Sequence, residues 1–312
     1  CINDTRLYLK DSVVATQLDR HEVDIIILIM LRNINGLLNS YSAPEISGNA
    51  KLEILQLIEE EHRNQILVDE ATDFSPIQLS CMMELTNNKM RSFFACGDFN
   101  QRITSWGTKT KEQMLWVSPT FDIRSITVSY RQSKQLNELA KQIADVESGS
   151  QAVLPEYVDI QGVPPVLAEG MNERNKLSLW LKDRINEIER AVQTLPSIAI
   201  FVDEESEVKP TTAALSEKLI DHNIRVVSCP DGRVMGQDGD IRVFNIQHIK
   251  GLEFEAVFFI GVDKLAKRVP DLFDKFLYVG ITRAATYLGV TCEEYLPGKI
   301  ENVRGLFAEN WG

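Results

Sequence analysis

The segment Ile66-Leu67-Val68-Asp69-Glu70 sets an apolar run directly ahead of two adjacent carboxylates. An apolar strand ending this way delivers both acids to the carboxyl edge of a parallel sheet, where α/β proteins bind their ligands. Two neighbouring carboxylates can divide the work of phosphoryl transfer: Asp69 holds Mg2+ through its water shell, and Glu70 polarises the attacking water. Standing alone, a strand that ends in Asp-Glu is more often a solvated strand end, so the weight falls on what accompanies it.

Further segments do accompany it. Cys96-Gly97-Asp98-Phe99-Asn100-Gln101-Arg102-Ile103 closes a second β-like run and leads to Trp106-Gly107; a glutamine there can read a γ-phosphate. Ser129-Tyr130-Arg131-Gln132-Ser133 offers an aromatic face for a base and a guanidinium for phosphate oxygens. Gln247-His248-Ile249-Lys250-Gly251-Leu252-Glu253-Phe254 and Leu277-Tyr278-Val279-Gly280-Ile281-Thr282-Arg283-Ala284-Ala285 complete the set. In order and spacing these resemble motifs II to VI of the superfamily 1A helicases of the UvrD/Rep/PcrA type. DEATD (Asp69 to Asp73) is similar to motif II, GDFNQRI with Trp106 to motif III, SYRQS to motif IV, KGLEFE to motif V and LYVGITRA to motif VI. The resemblance spans about Gln65 to Thr291, and the ordered series is far more specific than any one motif.

The resemblance implies an α/β fold of two RecA-like parallel-sheet domains, the first incomplete, forming a P-loop NTPase helicase core. It implies ATP and Mg2+ as cofactors, with Asp69 serving Mg2+, Glu70 as the catalytic base, Gln101 on the γ-phosphate, and Arg131 and Arg283 as arginine fingers. Tyr130 would stack on adenine and Glu253 accept from ribose hydroxyls, with Lys250 and Gly251 in the same nucleotide site. Trp106 would stack against a base of single-stranded DNA, with His248 as a second nucleic-acid residue; RNA stays open as a partner, and protein partners are not indicated. The implied activity is ATP-driven helicase or translocase motion, 3′ to 5′. The rival reading is a non-catalytic helicase-like module that docks protein or nucleic acid. Against it stands the joint retention of Glu70, Gln101, Arg131 and Arg283, residues that packing is not expected to need.

Departures from the family pattern matter as much. No G-x-x-x-x-G-K-S/T occurs in the 312 residues, so the chain alone is expected not to hydrolyse ATP usefully. The start at Cys1 reads as part of a longer protein. Thr104-Ser105 stand where the family has an aromatic and a basic residue, and Gln247 takes the usual histidine position with His248 one place later. Only about a hundred residues separate Arg131 from Asn245, too few for a large 2B insertion beside a second domain.

To position these groups, apolar β-like runs must alternate with helices. We expect strands at 65–68, 92–96, 123–128, 197–202, 225–228, 241–246, 256–260 and 287–291, and helices at 51–61, 76–85, 133–146, 172–192, 212–222 and 273–285. The domains are read as 1–119 and 120–312, divided near Pro119. Ile25 to Leu31 is expected to be a buried strand or helix segment. It falls far below the ~20 residues of a membrane span, and no membrane association is expected.

The net charge of −12 and pI near 5.0 exclude nucleic-acid binding by bulk charge; any such binding needs a localised groove with stacking platforms. Five cysteines without a C-x-x-C pair read as free thiols in a reducing, cytoplasmic compartment. The four histidines lack metal-ligand spacing, and no metal beyond Mg2+ is expected. Asp203 with Glu207-Val208-Lys209 has a nuclease-like look but is read as an acidic solvated turn. Trp106 and Trp116 have a buried apolar seam as their bland alternative, Trp180 is assigned to the core, and Gly97, Gly251 and Gly280 are compatible with tight turns.

Overall fold

The computed structural model describes residues 18–41, 53–87, 89–102, 106–126, 128–129, 132–147, 157–158 and 160–311. The chain divides into two compact units, Cys1–Ile123 and Arg124–Gly312.

In the first unit, α1 (Arg20–Ser40), α2 (Glu53–Glu61), β1 (Gln65–Val68), α3 (Pro76–Glu84), β2 (Ser92–Ala95) and α4 (Lys111–Val117) follow in order. β1 and β2 run parallel, with Gln65 opposite Ser92 and Val68 opposite Ala95. Helix α3 starts where the residues require it: Ser75 accepts from the Gln78 N–H, the Gln78 side chain returns to Ser75 N–H, and Pro76 occupies the first turn, where its missing N–H costs nothing. One sheet face packs on Leu79, Ala71 and Val117, with Phe93 stacked on Phe121 at 5.7 Å. On the opposite face Leu67 and Phe94 are 67% and 58% exposed.

The Ile25–Leu31 run is helical, as part of α1, but it is not buried as expected. Only Leu28 and Asn35 of α1 are buried, while Ile26, Ile27, Ile29 and Met30 are exposed. At 3.6 residues per turn a continuous apolar run wraps all the way round the helix, so only one stripe of it can face α3. By length and composition alone α1 could cross a membrane. Its polar groups are tied to the neighbouring helices: Asn35 Nδ2 donates to the Glu84 carbonyl at 2.8 Å, Asn35 Oδ1 lies 2.9 Å from His62 Nε2, and Gln78 Nε2 donates to Asp24 Oδ2 at 3.0 Å.

The second unit contains β3 (Val128–Ser129), α5 (Lys134–Glu147), β4 (Tyr157–Val158), β5 (Val166–Ala168), α6 (Arg174–Val192), β6 (Ile198–Val202), α7 (Glu205–Leu219) and β7 (Val226–Ser228). It continues with β8 (Ile241–Asn245), β9 (Phe254–Phe259), α8 (Val262–Arg268), α9 (Phe273–Thr282) and β10 (Ala284–Thr291). Six strands form one sheet in the order β5-β10-β9-β6-β8-β7, parallel throughout, and among the described residues β3 pairs only with β4. Both faces are covered, which is why β6 and β8 are buried at every residue; β6 reads as an unbroken apolar run, and β8 admits Arg242 because its guanidinium donates to the Met235 and Gln237 carbonyls. Ile198, Ile200 and Val202 face Leu181, Ile185 and Ile188 of α6 and Leu215 of α7. Phe201 points the other way, into edge-on contacts with Phe254 and Phe259 at 6.1 and 6.3 Å.

Three expectations need correction. The strand at 123–128 is absent from its described residues before Val128; Ile126 is exposed, and no strand covers it among the described residues. The acidic stretch after β6 is the first turn of α7 rather than a loop: Glu205 and Glu207 lie where the helix N-terminus favours negative charge, so the helix begins seven residues earlier than Thr212. Gly280 lies inside α9 rather than in a turn. A Cβ there would fall 2.8 Å from the buried Phe259 ring, so glycine lets α9 pack close on the sheet. Gly280→Ala is therefore expected to destabilise the second unit by about 1–3 kcal/mol through overpacking, read as a lowered thermal midpoint with the same far-UV circular dichroism.

Candidate functional site

Because β1 and β2 are in register and parallel, they end side by side. The ladder continues one residue past the strands: Cys96 N–H donates to the Val68 carbonyl at 2.9 Å and Ala71 N–H to the Cys96 carbonyl at 2.8 Å. Asp69 Oδ1 accepts from the Glu70 N–H at 2.8 Å and from the Cys96 thiol at 3.2 Å. Glu70 has a left-handed backbone, φ 51° and ψ 41°, which turns the chain sharply out of β1 into the tight turn Ala71–Asp73. This conformation is uncommon for a residue with a Cβ and marks a position where the surroundings dictate side-chain direction.

Gly97 explains how the two strand tips approach. A Cβ there would lie 3.0 Å from Ala71 N and 3.1 Å from Thr72 N, so glycine is needed for space. Asp98 then caps the turn Phe99–Gln101 by accepting from Asn100 N–H at 2.8 Å, and its carbonyl accepts from Thr72 Oγ1 at 3.1 Å. Asp69, Glu70 and Gln101 are thus gathered on one carboxyl edge, with Asp69 exposed and the other two half-buried.

The loop beyond carries Trp106 and is pinned at Thr108, whose N–H and hydroxyl both donate to the Phe74 carbonyl, at 2.9 and 2.8 Å. Trp106 is 46% and Trp116 55% exposed, so neither sits in a buried seam. Trp180 does pack against the core, edge-on to Phe258 at 6.0 Å.

Tyr130 and Arg131 lie outside the described residues. The residue after them, Gln132, is buried and donates to the carbonyls of Ile281 and Ala284 at 3.1 and 3.3 Å, either side of Arg283; spacing along the chain carried no sign of this contact. Arg283 itself is 5% exposed, at the end of α9. Its Nη1 donates to the Leu252 carbonyl at 3.2 Å and its Nε to the Val279 carbonyl at 3.3 Å, while its own carbonyl accepts from Phe254 N–H at 3.0 Å. The expectation that packing does not need Arg283 is therefore wrong: it ties the end of α9 to the start of β9.

Glu253 is exposed beside this link, at the amino edge of the sheet. It lines a cavity of about 440 Å³ together with Ser197, Glu255 and Thr286. Lys250 is half-buried, and Gly251 has φ +78° with open space where a Cβ would go, so here it is backbone freedom that calls for glycine. His248 is exposed and follows β8 at the carboxyl edge, so the structure does not bring it beside Glu253. The segment 246–253 crosses from one edge to the other, anchored by buried Ile246 and Ile249. The nuclease-like group carries no open acid: buried Asp203 accepts from Arg268 Nε at 3.0 Å, and Glu207 is paired with Arg174 at 2.8 Å.

Residues 16–122 match the UvrD/REP helicase N-terminal domain, and residues 240–291 match the UvrD-like helicase C-terminal domain. The two matches together cover just over half of the chain, and they enclose both the Asp69-Glu70 edge and the Glu253–Arg283 link. The chain belongs to the UvrD-type helicases. The α/β architecture with parallel sheets is that of the RecA-like core of UvrD-type helicases. Among solved structures, the C-terminal domain of a possible DNA helicase from Lactobacillus plantarum WCFS1 is similar at 20% identity and a TM-score of 0.44, over 58% of this chain and 98% of that one. No curated protein matches the chain.

The Cys96 thiol is held above its ordinary range, first by burial, then by its hydrogen bond to Asp69 and the charges of Asp69 and Glu70. Removing the Asp69 charge must lower that value and raise the thiolate fraction. Asp69→Asn is expected to speed alkylation of Cys96 by iodoacetamide at pH 8 several-fold, followed by peptide mass spectrometry. Cys81, pushed up to about 11 by burial with Asp24, serves as the unchanged internal standard.

Proposed function

We propose that this chain is the motor part of an ATP-dependent DNA helicase or translocase that moves along single-stranded DNA. The observation that carries the reading is the convergence of Asp69, Glu70 and Gln101 on one sheet edge in a UvrD-type chain. The exposed Asp69 carboxylate supplies the hard oxygen donors that suit Mg2+. Mg2+, when bound, neutralises charge on the phosphate oxygens. Glu70 orients the attacking water and accepts its proton, and Gln101 contacts the γ-phosphate. Arg131 and Arg283 are the arginine fingers; to serve in this way, the Arg283 guanidinium gives up the Leu252 carbonyl. Tyr130, Glu253, Lys250 and Gly251 belong to the nucleotide, and Trp106 and His248 to the nucleic acid. We read the chain as 1–119 from the first RecA-like domain and 120–312 as the second, without a large 2B insertion. The free thiols of Cys81, Cys96, Cys229 and Cys292 favour a reducing compartment such as the cytoplasm.

The 312 residues contain no phosphate loop, so the isolated chain is expected to show no DNA-stimulated ATPase. Joined ahead of Cys1 to a strand, G-x-x-x-x-G-K-S/T loop and helix, the same chain is expected to acquire that activity, and Glu70→Gln to reduce it by about 10²-fold or more. A folded fusion without ATPase would sink the motor reading in favour of a non-catalytic docking module.

Stacking on Trp106 supplies a second test. Trp106→Ala is expected to weaken binding of an oligothymidylate by roughly 1–3 kcal/mol, measured by fluorescence anisotropy, while Trp116→Ala serves as the exposed-tryptophan control.

A further inference from the structure

The carboxyl edge of the six-stranded sheet carries a second cluster, separate from the nucleotide residues, and it gives His248 a role other than the nucleic-acid contact proposed above. β6, β8 and β7 are adjacent, and the segment after each contributes one side chain: Glu205 opens α7, Asp231 lies in the turn Pro230–Gly232, and His248 in the turn Ile246–His248. One potential ligand atom from each lies within 4.8 Å of the other two. In parallel α/β sheets this edge is where ligands bind, because the loops of neighbouring strands converge there.

Two observations point to a missing partner. Glu205 Oε1 accepts the Asp231 N–H at 3.1 Å, but Glu205 Oε2 is shut off from solvent with no hydrogen-bond partner. A buried carboxylate oxygen without a donor is costly, and an ion seated against it accounts for its persistence. The neighbouring acids of the same stretch are already neutralised, Asp203 by Arg268 and Glu207 by Arg174, whereas Glu205 has no ion pair among the described residues. Lys209 shares a cavity of about 390 Å³ with Glu205 and Asp231 and pairs with neither. Gly232 lets the chain approach the imidazole: a Cβ there would lie 2.6 Å from His248 Cβ.

We propose that Glu205, Asp231 and His248 bind a zinc-class divalent cation. One imidazole and two carboxylates form a three-ligand set of the kind Zn2+ accepts, with a fourth position left to water. Tetrahedral donors at about 2.1 Å from one ion are about 3.4 Å apart, so the side chains must draw in by up to about 1.4 Å. Asp231 and His248 are exposed and have the freedom to do so. The ion clamps the turn after β8 to the start of α7. That fixes one end of the 246–253 segment, whose other end presents Glu253 at the opposite edge.

The test is titration of the full 312-residue chain with Co2+ and Zn2+. One equivalent of Co2+ is expected to give the visible absorption of a nitrogen- and oxygen-ligated ion, displaced by Zn2+, and Zn2+ is expected to raise the thermal midpoint. His248→Ala, Glu205→Gln and Asp231→Asn are each expected to weaken binding at least tenfold and abolish that rise. Glu205→Gln keeps an oxygen for the Asp231 N–H, and asparagine tolerates the left-handed backbone at 231 (φ 51°), so these two variants retain the fold if His248→Ala does not. Absence of stoichiometric binding, variants that bind like the parent, or a thiolate-to-cobalt charge-transfer band, which would assign the ion to cysteines, each overturns the proposal.

Discussion

The parallel direction of the strands is the constraint from which the rest of this structure follows. A parallel pair cannot be closed by a tight turn; each strand must be regained through a crossover, and crossovers cover the faces with helices. In the second unit this leaves β6 and β8 no solvent on either side. A polar side chain enters such an interior only where it finds acceptors, as Arg242 does in the Met235 and Gln237 carbonyls; the others stand at the ends of the strands. Among the described residues, Asp69, Glu70 and Gln101 accordingly stand at the carboxyl edge of β1 and β2, Glu253 and Arg283 at the amino edge of the six-stranded sheet, and Glu205, Asp231 and His248 at its carboxyl edge.

Close backbone approach is what turns an edge into a site. At the tips of β1 and β2, Gly97 admits the Ala71 and Thr72 amides to within about a side chain's radius, and the left-handed Glu70 redirects the chain at once. Two acids and a glutamine are brought together by hydrogen bonds that run through main-chain atoms. A site held in this way depends little on flexible side chains, which suits groups that must meet a phosphate in a defined orientation.

Arg283 shows a different economy. A buried guanidinium must have acceptors, and here it finds them in the Val279 and Leu252 carbonyls. Gln132 uses the carbonyls of Ile281 and Ala284 on either side of the same turn. The end of α9, the start of β9 and the residues after β3 are thereby one hydrogen-bonded assembly. A residue there serves the fold, so its retention alone does not distinguish a working site from a structural one.

Much of this was legible in the residues themselves. The strand 198–202 is an apolar run whose position follows from burial on both faces, and the Asp69-Glu70 pair is adjacent in the chain, so its placement at a strand tip needs only β1 to form. The helix containing Ile25–Leu31 was legible as apolar but not as exposed, because a run that is apolar all round does not say which stripe meets a neighbour. The structural use of Arg283 and Gln132 was not legible, since their acceptors are main-chain carbonyls, which every residue type provides. Nor was the grouping of Glu205, Asp231 and His248, whose separations in sequence follow no ligand spacing. Local patterning determined which elements form and which polar groups stand at their ends. The order in which parallel strands assemble decided which ends became neighbours, because strand order is set by the packing of both sheet faces and leaves no periodic mark on the chain.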